Sequence, residues 1–241
     1  MSSNITVLNT GDSKDRRSQR TRETIVRTAE RLFATHGVEG VSLNTITTAA
    51  HQNNRNAVQY HFGNKKGLLQ AIFDKHSPNV MKRRHELIDQ LMAEDLPMAI
   101  VAAKAMVLPL AEKLEDTDGG AYYIHISAEL NATNTLNYFL NSEEGIRLQR
   151  ETKLAELVAE QMNHIPSSLI LQRFMLLAGF VFHSLSEHAR IRNSDAKLGV
   201  LSDTELMVSN LIDSCAGLLS AGASDHSLGL INSLKSAGVS T

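Results

Sequence analysis

The chain has 241 residues, of which 42% are hydrophobic and 21% charged, and its formal net charge is −2. These values are typical of a globular protein of one or two domains and exclude fibrous and disordered classes. The single cysteine, Cys215, excludes a disulfide framework within one chain.

The sequence predicts neither a targeting segment nor a spanning segment. Its first twenty residues lack a continuous apolar stretch that ends in a small-residue cleavage site. No uninterrupted apolar run approaches the ~18 residues that a spanning helix needs. We therefore expect a cytoplasmic protein with no membrane partner.

Charge is distributed unevenly along the sequence. From Lys14 to His85 there are 14 Lys and Arg against 5 Asp and Glu, a net charge of +9, which leaves −11 for the remainder. A basic first third joined to an acidic remainder indicates that one end binds a polyanion. Chance clustering on solvated helix faces is the alternative.

Apolar spacing predicts an all-α protein with no strand hairpin. Residues 1–15 are expected to form a flexible arm. The first helix is expected to end at Gly37. The next three helices are expected to cover 42–50, 54–62 and 65–76, with Ser42 and Asn64 as N-caps and a polar turn at 51–53.

Pro78 is expected to break the helix, and longer amphipathic helices are predicted beyond it. They cover 81–92, 96–114 with a kink at Pro109, 121–140, 143–164, 167–190 and 202–220. Ser202 and Glu205 form a capping-box pattern before the last of these. The segment 223–241 is rich in Ser, Ala and Gly and is expected to be frayed. The predicted domain boundary falls between 16–78 and 79–222.

Two short helices joined by a tight polar turn, with a supporting helix before them, are typical of a helix-turn-helix DNA-binding unit. In the second short helix, Arg55 can donate two hydrogen bonds to guanine, and Asn56 and Gln59 can pair with adenine. Ala57, Val58 and Phe62 supply the apolar face that packs on the first two helices. Arg55, Asn56 and Gln59 are therefore the predicted base-reading residues.

A second set of residues is predicted to position the protein on the phosphate backbone. Lys65 and Lys66 open a helix at its electropositive N-terminus, which favours a phosphate. The basic residues around the start of the first helix are Lys14, Arg16, Arg17, Arg20 and Arg22. The predicted phosphate contacts are Arg17, Ser42, Asn54, Tyr60, His61 and Lys65. Taken singly, each is as well explained as a solvated surface residue.

The stretch from Arg20 to about Ile72, which ends NAVQYHFGNKKGLLQAIF, resembles the N-terminal DNA-binding domain of TetR-family transcriptional regulators. Leu32, Phe33 and Gly37 match the end of the family's first helix. The match continues through Tyr60, His61, Phe62, Lys65 and Leu68. The resemblance implies phosphate contacts from Tyr60, His61 and Lys65, and base readout by Arg55, Asn56 and Gln59.

The sequence departs from the family pattern at three points. Gln59 stands where a tyrosine is common, which favours a hydrogen-bonding reader there. Ala50-His51 replaces the common Ala-Gly, so the turn must bend without a glycine. The acidic residue often found early in the second helix is absent around Thr45.

For the larger domain, the resemblance implies a homodimer that binds a palindromic operator and a pocket for a small-molecule effector. The expected interface lies on the last two long helices, at Phe174, Leu177, Phe180, Val181, Leu211, Ile212 and Leu218. The candidate pocket residues are Tyr122, Tyr123, His125, Asn131 and Phe139. Ordinary core packing is the alternative for both sets.

Three competing functions remain open at the level of sequence. An activator would have the same fold as a repressor, although repression is the commoner outcome in the family. A non-specific DNA binder would need only the basic head. An enzyme would start from His183, Glu187 and His188, but His188 is turned away from His183 at i+5, so we predict no enzyme, no metal site and no cofactor.

Overall fold

The computed structural model describes residues 10–133, 152–194 and 198–238, and all regular structure in these ranges is helical. The helices in chain order are α1 (Thr10–His36), α2 (Leu43–Ala49), α3 (Ala57–Phe62), α4 (Lys65–Leu91), α5 (Met98–Ala111), α6 (Gly120–Thr133), α7 (Thr152–Gln161), α8 (Ser167–Arg192), α9 (Thr204–Ser220) and α10 (Asp225–Ser236). Short 3-10 turns cover Glu112–Glu115 and Gly199–Ser202. The prediction of an all-α chain, with short helices first and a larger helical part after them, is confirmed.

Contacts divide the chain into two compact units, Met1–Ile72 and Phe73–Thr241, and the division falls inside α4. The first unit has a core of aliphatic and phenylalanine side chains, contributed by α1, α2, α3 and α4. Its fully buried members include Ile25, Phe33, Ile46, Leu68 and Ile72. In the second unit, α5 packs against α9, and α6 packs against α8. The sequence analysis placed this boundary later, after residue 78.

The beginning of α1 differs from the expected arm. The helix starts at Thr10, so residues 10–15 are helical rather than part of a flexible arm. The polar sequence there contains no proline, and a helix that is already formed extends at one backbone hydrogen bond per residue. Residues 1–9 of the expected arm lie outside the described residues.

Helix α4 runs through Pro78, where the sequence predicted a break. An internal proline costs about 3 kcal/mol because it removes one backbone hydrogen bond and crowds the preceding turn. Here apolar packing on both sides offsets that cost, since Phe73, His76 and Val80 are buried. Pro109 also lies inside a helix, and α5 ends soon after it, at Ala111, in a 3-10 turn.

Helix α9 ends at Ser220 as predicted but begins later than predicted, and a further helix follows it. Asp203, not Ser202, caps α9, because its carboxylate accepts a 2.8 Å hydrogen bond from Leu206 N. The Ser202 hydroxyl donates instead to Gly199 O, at 2.8 Å. The segment expected to be frayed contains α10, which Ser224 caps through a 3.2 Å bond from Ser227 N.

Helix α8 has an unusually apolar surface. Its buried side chains are Leu177, Val181, Leu185, Ser186, His188 and Ala189. Phe174, Leu176 and Phe180 are exposed. By length and composition, α8 is the single helix in the described ranges that could cross a membrane, a possibility that the uninterrupted-run criterion had excluded. Helices α9 and α10 meet the same criterion only when taken together, across a bend of 52°.

Candidate nucleic-acid interface

The amino end of α2 is fixed by Ser42. This residue has extended backbone angles, and its hydroxyl oxygen accepts a 3.0 Å hydrogen bond from Thr45 N. The Thr45 hydroxyl lies 2.8 Å from the same oxygen. The cap predicted from sequence is confirmed, and Ser42 remains exposed on the surface where a phosphate contact is predicted.

The turn between α2 and α3 contains a residue with left-handed backbone. His51 has φ 52°, and it is the one non-glycine residue in the described ranges with positive φ. Gln52 supports the bend because its backbone N–H donates to Thr47 O at 3.1 Å and its side chain donates to Ala50 O at 2.7 Å. A histidine therefore makes the bend for which a glycine is usual.

Helix α3 is shorter than predicted. Its first helical residue is Ala57, so Arg55 and Asn56 lie in the turn before it, and of the predicted base readers only Gln59 is within the helix. The Asn54 side-chain oxygen accepts a 3.0 Å bond from Asn56 N, which closes this turn locally. This competing bond explains why the helix does not begin at Asn54.

All three predicted base-reading side chains are exposed, whereas the opposite face of α3 is buried. Ala57, Val58 and Phe62 belong to the core, as the sequence predicted. Arg55 and Asn56 sit at the amino end of the helix, and Gln59 lies within it. A recognition helix contacts base edges with its amino-terminal residues, which is the end occupied by these polar side chains.

Tyr60 and His61 follow on the same short helix. Tyr60 is 80% exposed, and its ring meets that of His61 edge-on at 5.1 Å between centroids. Partial burial, with the nearby charge of Arg22 as a second cause, lowers the pKa of His61. The lowered pKa favours the neutral imidazole, which can donate a hydrogen bond to a phosphate.

The basic region of α1 divides into exposed and anchored side chains. Arg16, Arg17 and Arg20 are exposed. Arg22 is half-buried, and its guanidinium carbon lies 4.8 Å from the centre of the Phe62 ring, which is a cation–π contact. The side chain of Lys14 lies outside the described residues.

Lys65, at the first position of α4, is engaged with its own chain. Its ammonium donates to Val38 O at 2.8 Å and to Glu39 O at 3.4 Å, and lies 3.7 Å from the Glu39 carboxylate. This lysine therefore ties the amino end of α4 to the segment between α1 and α2. A phosphate at Lys65 would have to share or replace these contacts.

The corner between α3 and α4 is closely packed. Gly63 has φ 74°, and Asn64 caps α4 by accepting a 2.9 Å bond from Gly67 N. A β-carbon added at Gly67 would lie 2.0 Å from Phe62 O. Gly67 is therefore required by the close approach of the two helix ends, a constraint that local sequence does not reveal.

The candidate pocket residues lie in the second unit and contact different neighbours. Tyr123 is buried, stacks on His76 at 4.9 Å between ring centroids and meets Phe73 edge-on at 5.3 Å. His125 faces α8, where its Nδ1 lies 2.7 Å from the Ser186 hydroxyl. Tyr123 and His125 therefore contact different residues rather than a common neighbour.

The remaining candidates give a mixed result. Tyr122 is exposed and Asn131 is partly buried, while Phe139 lies outside the described residues. Sequence reasoning missed Ser127, which is fully buried on α6 with no hydrogen-bond partner for its hydroxyl among the described residues. A lone serine within an apolar helix carries no sequence signal for such a position.

The expected interface residues divide by burial. Leu177, Val181, Leu211 and Ile212 are buried within the chain itself. Phe174, Phe180 and Leu218 are exposed and available to a partner. Core packing therefore accounts for the four buried residues, and an interface role stays a prediction for the three exposed ones.

Two of the three residues considered for an enzyme, Glu187 and His188, have other contacts. His188 Nε2 lies 2.9 Å from the Thr204 hydroxyl, and Glu187 forms an ion pair with Arg190 at 3.3 Å. Burial, followed by the charge of Arg192, lowers the pKa of His188. Within the described ranges, no group of three or more His, Cys, Asp or Glu side chains could hold a metal ion.

Comparison with known proteins finds a family similar to part of the first unit. Residues 25–72 match the family model of bacterial regulatory proteins, tetR family. A crystal structure of a protein from Rhodococcus sp., assigned to the TetR-family transcriptional regulators, is 18% identical, with a TM-score of 0.41 over 84% of this chain and 100% of that chain. No curated protein matches the chain.

Helices α2 and α3, with the turn between them, form a helix-turn-helix arrangement in the first unit. The family match confirms the resemblance to TetR-family transcriptional regulators on the residues that carry it. The match lies within the first unit, Met1–Ile72.

Proposed function

We propose that the chain is a dimeric, sequence-specific repressor that binds a palindromic operator in the cytoplasm and leaves it when a small-molecule effector binds. The observation that carries this proposal is the exposure of Arg55, Asn56 and Gln59 around the amino end of α3, above a buried apolar face. These side chains are the types that pair with guanine and adenine in the major groove.

Sequence preference is favoured over non-specific binding by the chemistry of these residues. Non-specific binding needs only positive charge near phosphates. The start of α3 instead carries two side-chain amides, from Asn56 and Gln59, and one guanidinium. Amides add no charge, and their value at a DNA surface is bidentate hydrogen bonding to a base edge.

Dimerisation is supported by the exposed apolar side chains of the last long helices. Phe174 and Phe180 of α8 and Leu218 of α9 are large and exposed. Large aromatic side chains such as Phe174 and Phe180 are enriched at protein interfaces relative to the rest of the surface. A two-fold dimer would present two copies of α3 to half-sites about one DNA turn apart, ~34 Å, which is why a palindrome is expected.

An effector site in the second unit is supported by polar groups set among apolar neighbours. Ser127 is fully buried with an unpartnered hydroxyl, and His125 bonds to Ser186 in a part-buried position. A few polar groups within an apolar site fix the orientation of a small ligand. Tyr122, Tyr123, His125 and Asn131, together with Phe139, remain the proposed lining residues.

The experiment that tests the proposal is a titration with duplexes selected from a random pool, with a scrambled duplex as control, at two salt concentrations. We expect a palindrome to bind far more tightly than the scrambled duplex, and both to lose affinity as salt rises. Equal binding of the two duplexes would contradict sequence recognition and favour a non-specific binder.

Variants assign the reading role within the same titration. Gln59→Ala should weaken operator binding by ~1–3 kcal/mol and leave scrambled DNA unchanged. Gln90→Ala, an exposed glutamine on α4 in the other unit, serves as the matched control. Equal losses on both duplexes for Gln59→Ala would show that this side chain does not read a base.

A reporter gene under the selected operator separates repression from activation. We expect expression to rise when the regulator is deleted and to fall when it is restored. The opposite response would make the chain an activator of the same fold.

A further inference from the structure

Helix α10 is scarcely covered by its own chain. It has 12 residues, and Ile231 is the one buried side chain along this fully described helix. Leu228, Leu230 and Leu234 are exposed. The helix follows α9 after a bend of 52°.

Such a helix needs a partner to be stable. Isolated helices shorter than ~12–15 residues are marginal in water even when their sequences favour helix. Ser224 caps α10 and Ile231 is buried, but the other apolar side chains of the helix are exposed. Burial of these leucines against a partner would add to the stability of the helix.

The segment that leads into α10 is held in place by the rest of the second unit. Arg173 of α8 donates to the carbonyls of Ala221 and Gly222, the latter at 2.9 Å. His164 Nε2 donates to Ala221 O at 3.1 Å. These bonds fix the start of α10 beside the amino-terminal half of α8, where Leu171 and Phe174 are exposed.

We propose that α10 packs against a second copy of this chain and extends the dimer interface formed by α8 and α9. The inference rests on the proposed dimer. Its exposed leucines would continue the apolar surface that begins at Leu171 and Phe174. A two-fold axis would form the same contact twice, so that α10 of each copy would cover the apolar surface of the other copy.

The charge on α10 favours a copy of the same chain as the partner. Its ionisable side chains are Asp225, His226 and Lys235, which leave it close to neutral. A nucleic acid would call for a basic helix. Interfaces between identical subunits are more apolar than other protein interfaces, which suits leucines with few charges.

The test is sedimentation equilibrium of the full chain over a dilution series. We expect the double variant Leu230→Glu/Leu234→Glu to raise the dimer dissociation constant at least tenfold. Ending the chain after Ala223 should raise it by a similar factor. Met92→Glu is the matched control, since Met92 at the end of α4 is 51% exposed and Leu230 is 53% exposed. Far-UV circular dichroism checks that each variant is folded.

The outcomes separate this inference from the proposed function. If the α10 variants leave the dissociation constant unchanged while Phe174→Glu raises it, α10 has no place in the interface and the dimer stands. If the α10 variants lower the melting temperature without changing the dissociation constant, α10 packs on its own chain and the inference is overturned. If the unaltered chain is a monomer at every concentration, the proposed dimer and the inference fall together.

Discussion

At the scale of single residues, some polar side chains of the first unit are exposed, whereas others shape its surface. Arg55, Asn56 and Gln59 are exposed, whereas Lys65 is bonded to backbone carbonyls. His51 has a structural role of another kind, because its backbone takes a conformation that costs an ordinary residue about 1–2 kcal/mol. Substitutions at His51 and Lys65 should therefore change stability as well as DNA binding.

His51→Gly should be more stable than His51→Val by ~1–2 kcal/mol, because a β-branched residue tolerates positive φ poorly and glycine adopts it freely. The measurement is urea unfolding of both variants. Asn53→Gly and Asn53→Val provide the control pair in the same turn, where φ is not positive. If glycine confers the same advantage at both positions, the strain at His51 is not real.

Lys65→Met should lower the free energy of unfolding by ~1 kcal/mol, because a charge-assisted bond to Val38 O is lost from a side chain that is 28% exposed. It should also weaken operator and scrambled DNA by the same factor. Lys82→Met is the control, since Lys82 is largely exposed on α4. An unchanged unfolding curve would mean that the bond to Val38 contributes nothing.

At the scale of helices, the head depends on how closely the ends of α3 and α4 approach. Asn64 caps α4, and the backbone at Gly67 lies against Phe62 O with no room for a β-carbon. Helix α4 then continues through Pro78 because its packed face offsets the lost backbone bond. Tertiary packing therefore overrides local preference at Pro78, whereas the corner at Gly67 is fixed by neighbours within five residues.

Gly67→Ala should destabilise the protein by more than ~2 kcal/mol, because the new methyl group would lie 2.0 Å from a backbone oxygen. Gly217→Ala in α9 is the matched control, since nothing lies within 4 Å of its added β-carbon. There alanine should be neutral or stabilising by up to ~1 kcal/mol. Thermal unfolding of the two variants gives the comparison, and equal effects would contradict the close approach at Gly67.

At the scale of the whole molecule, buried histidines link the helices of the second unit. His125 of α6 bonds to Ser186 of α8, and His188 of α8 bonds to Thr204 of α9. Burial is the main cause that lowers the pKa of both imidazoles. The folded state therefore favours the neutral forms, and the unfolded chain binds protons more readily than the folded chain as pH falls.

This difference makes stability depend on pH. The stabilisation should be fully present above the ordinary histidine pKa of ~6.5 and should be lost as pH falls through the lowered pKa values of the folded state. Urea unfolding at pH 7.5 and pH 5 measures the loss. His125→Gln should show a smaller loss than the unaltered chain, whereas exposed His226→Gln should not. A pH dependence identical in all three proteins would contradict a role for His125.

Whether a feature could be predicted from the sequence depends on how far apart along the chain the interacting residues lie. The caps at Ser42 and Asn64 were predictable, because each bond spans three residues. The bond between His125 and Ser186 joins residues 61 apart, and no periodicity reports it. The start of α3 was misplaced because the local bond of Asn54 competes with helix formation. Helix α10 was missed because its small residues resemble those of a frayed tail.

The contact between Arg22 and Phe62 bears on the entropy of association. An exposed arginine, such as Arg17 or Arg20, loses rotamer freedom when it settles on a phosphate, at a cost of about 0.5–1.5 kcal/mol. Arg22 is stacked on the ring before any DNA is bound, so that freedom is already lost in the free protein. Its charge is therefore held in place before association, and Phe62 serves both as a core residue and as the support of an arginine.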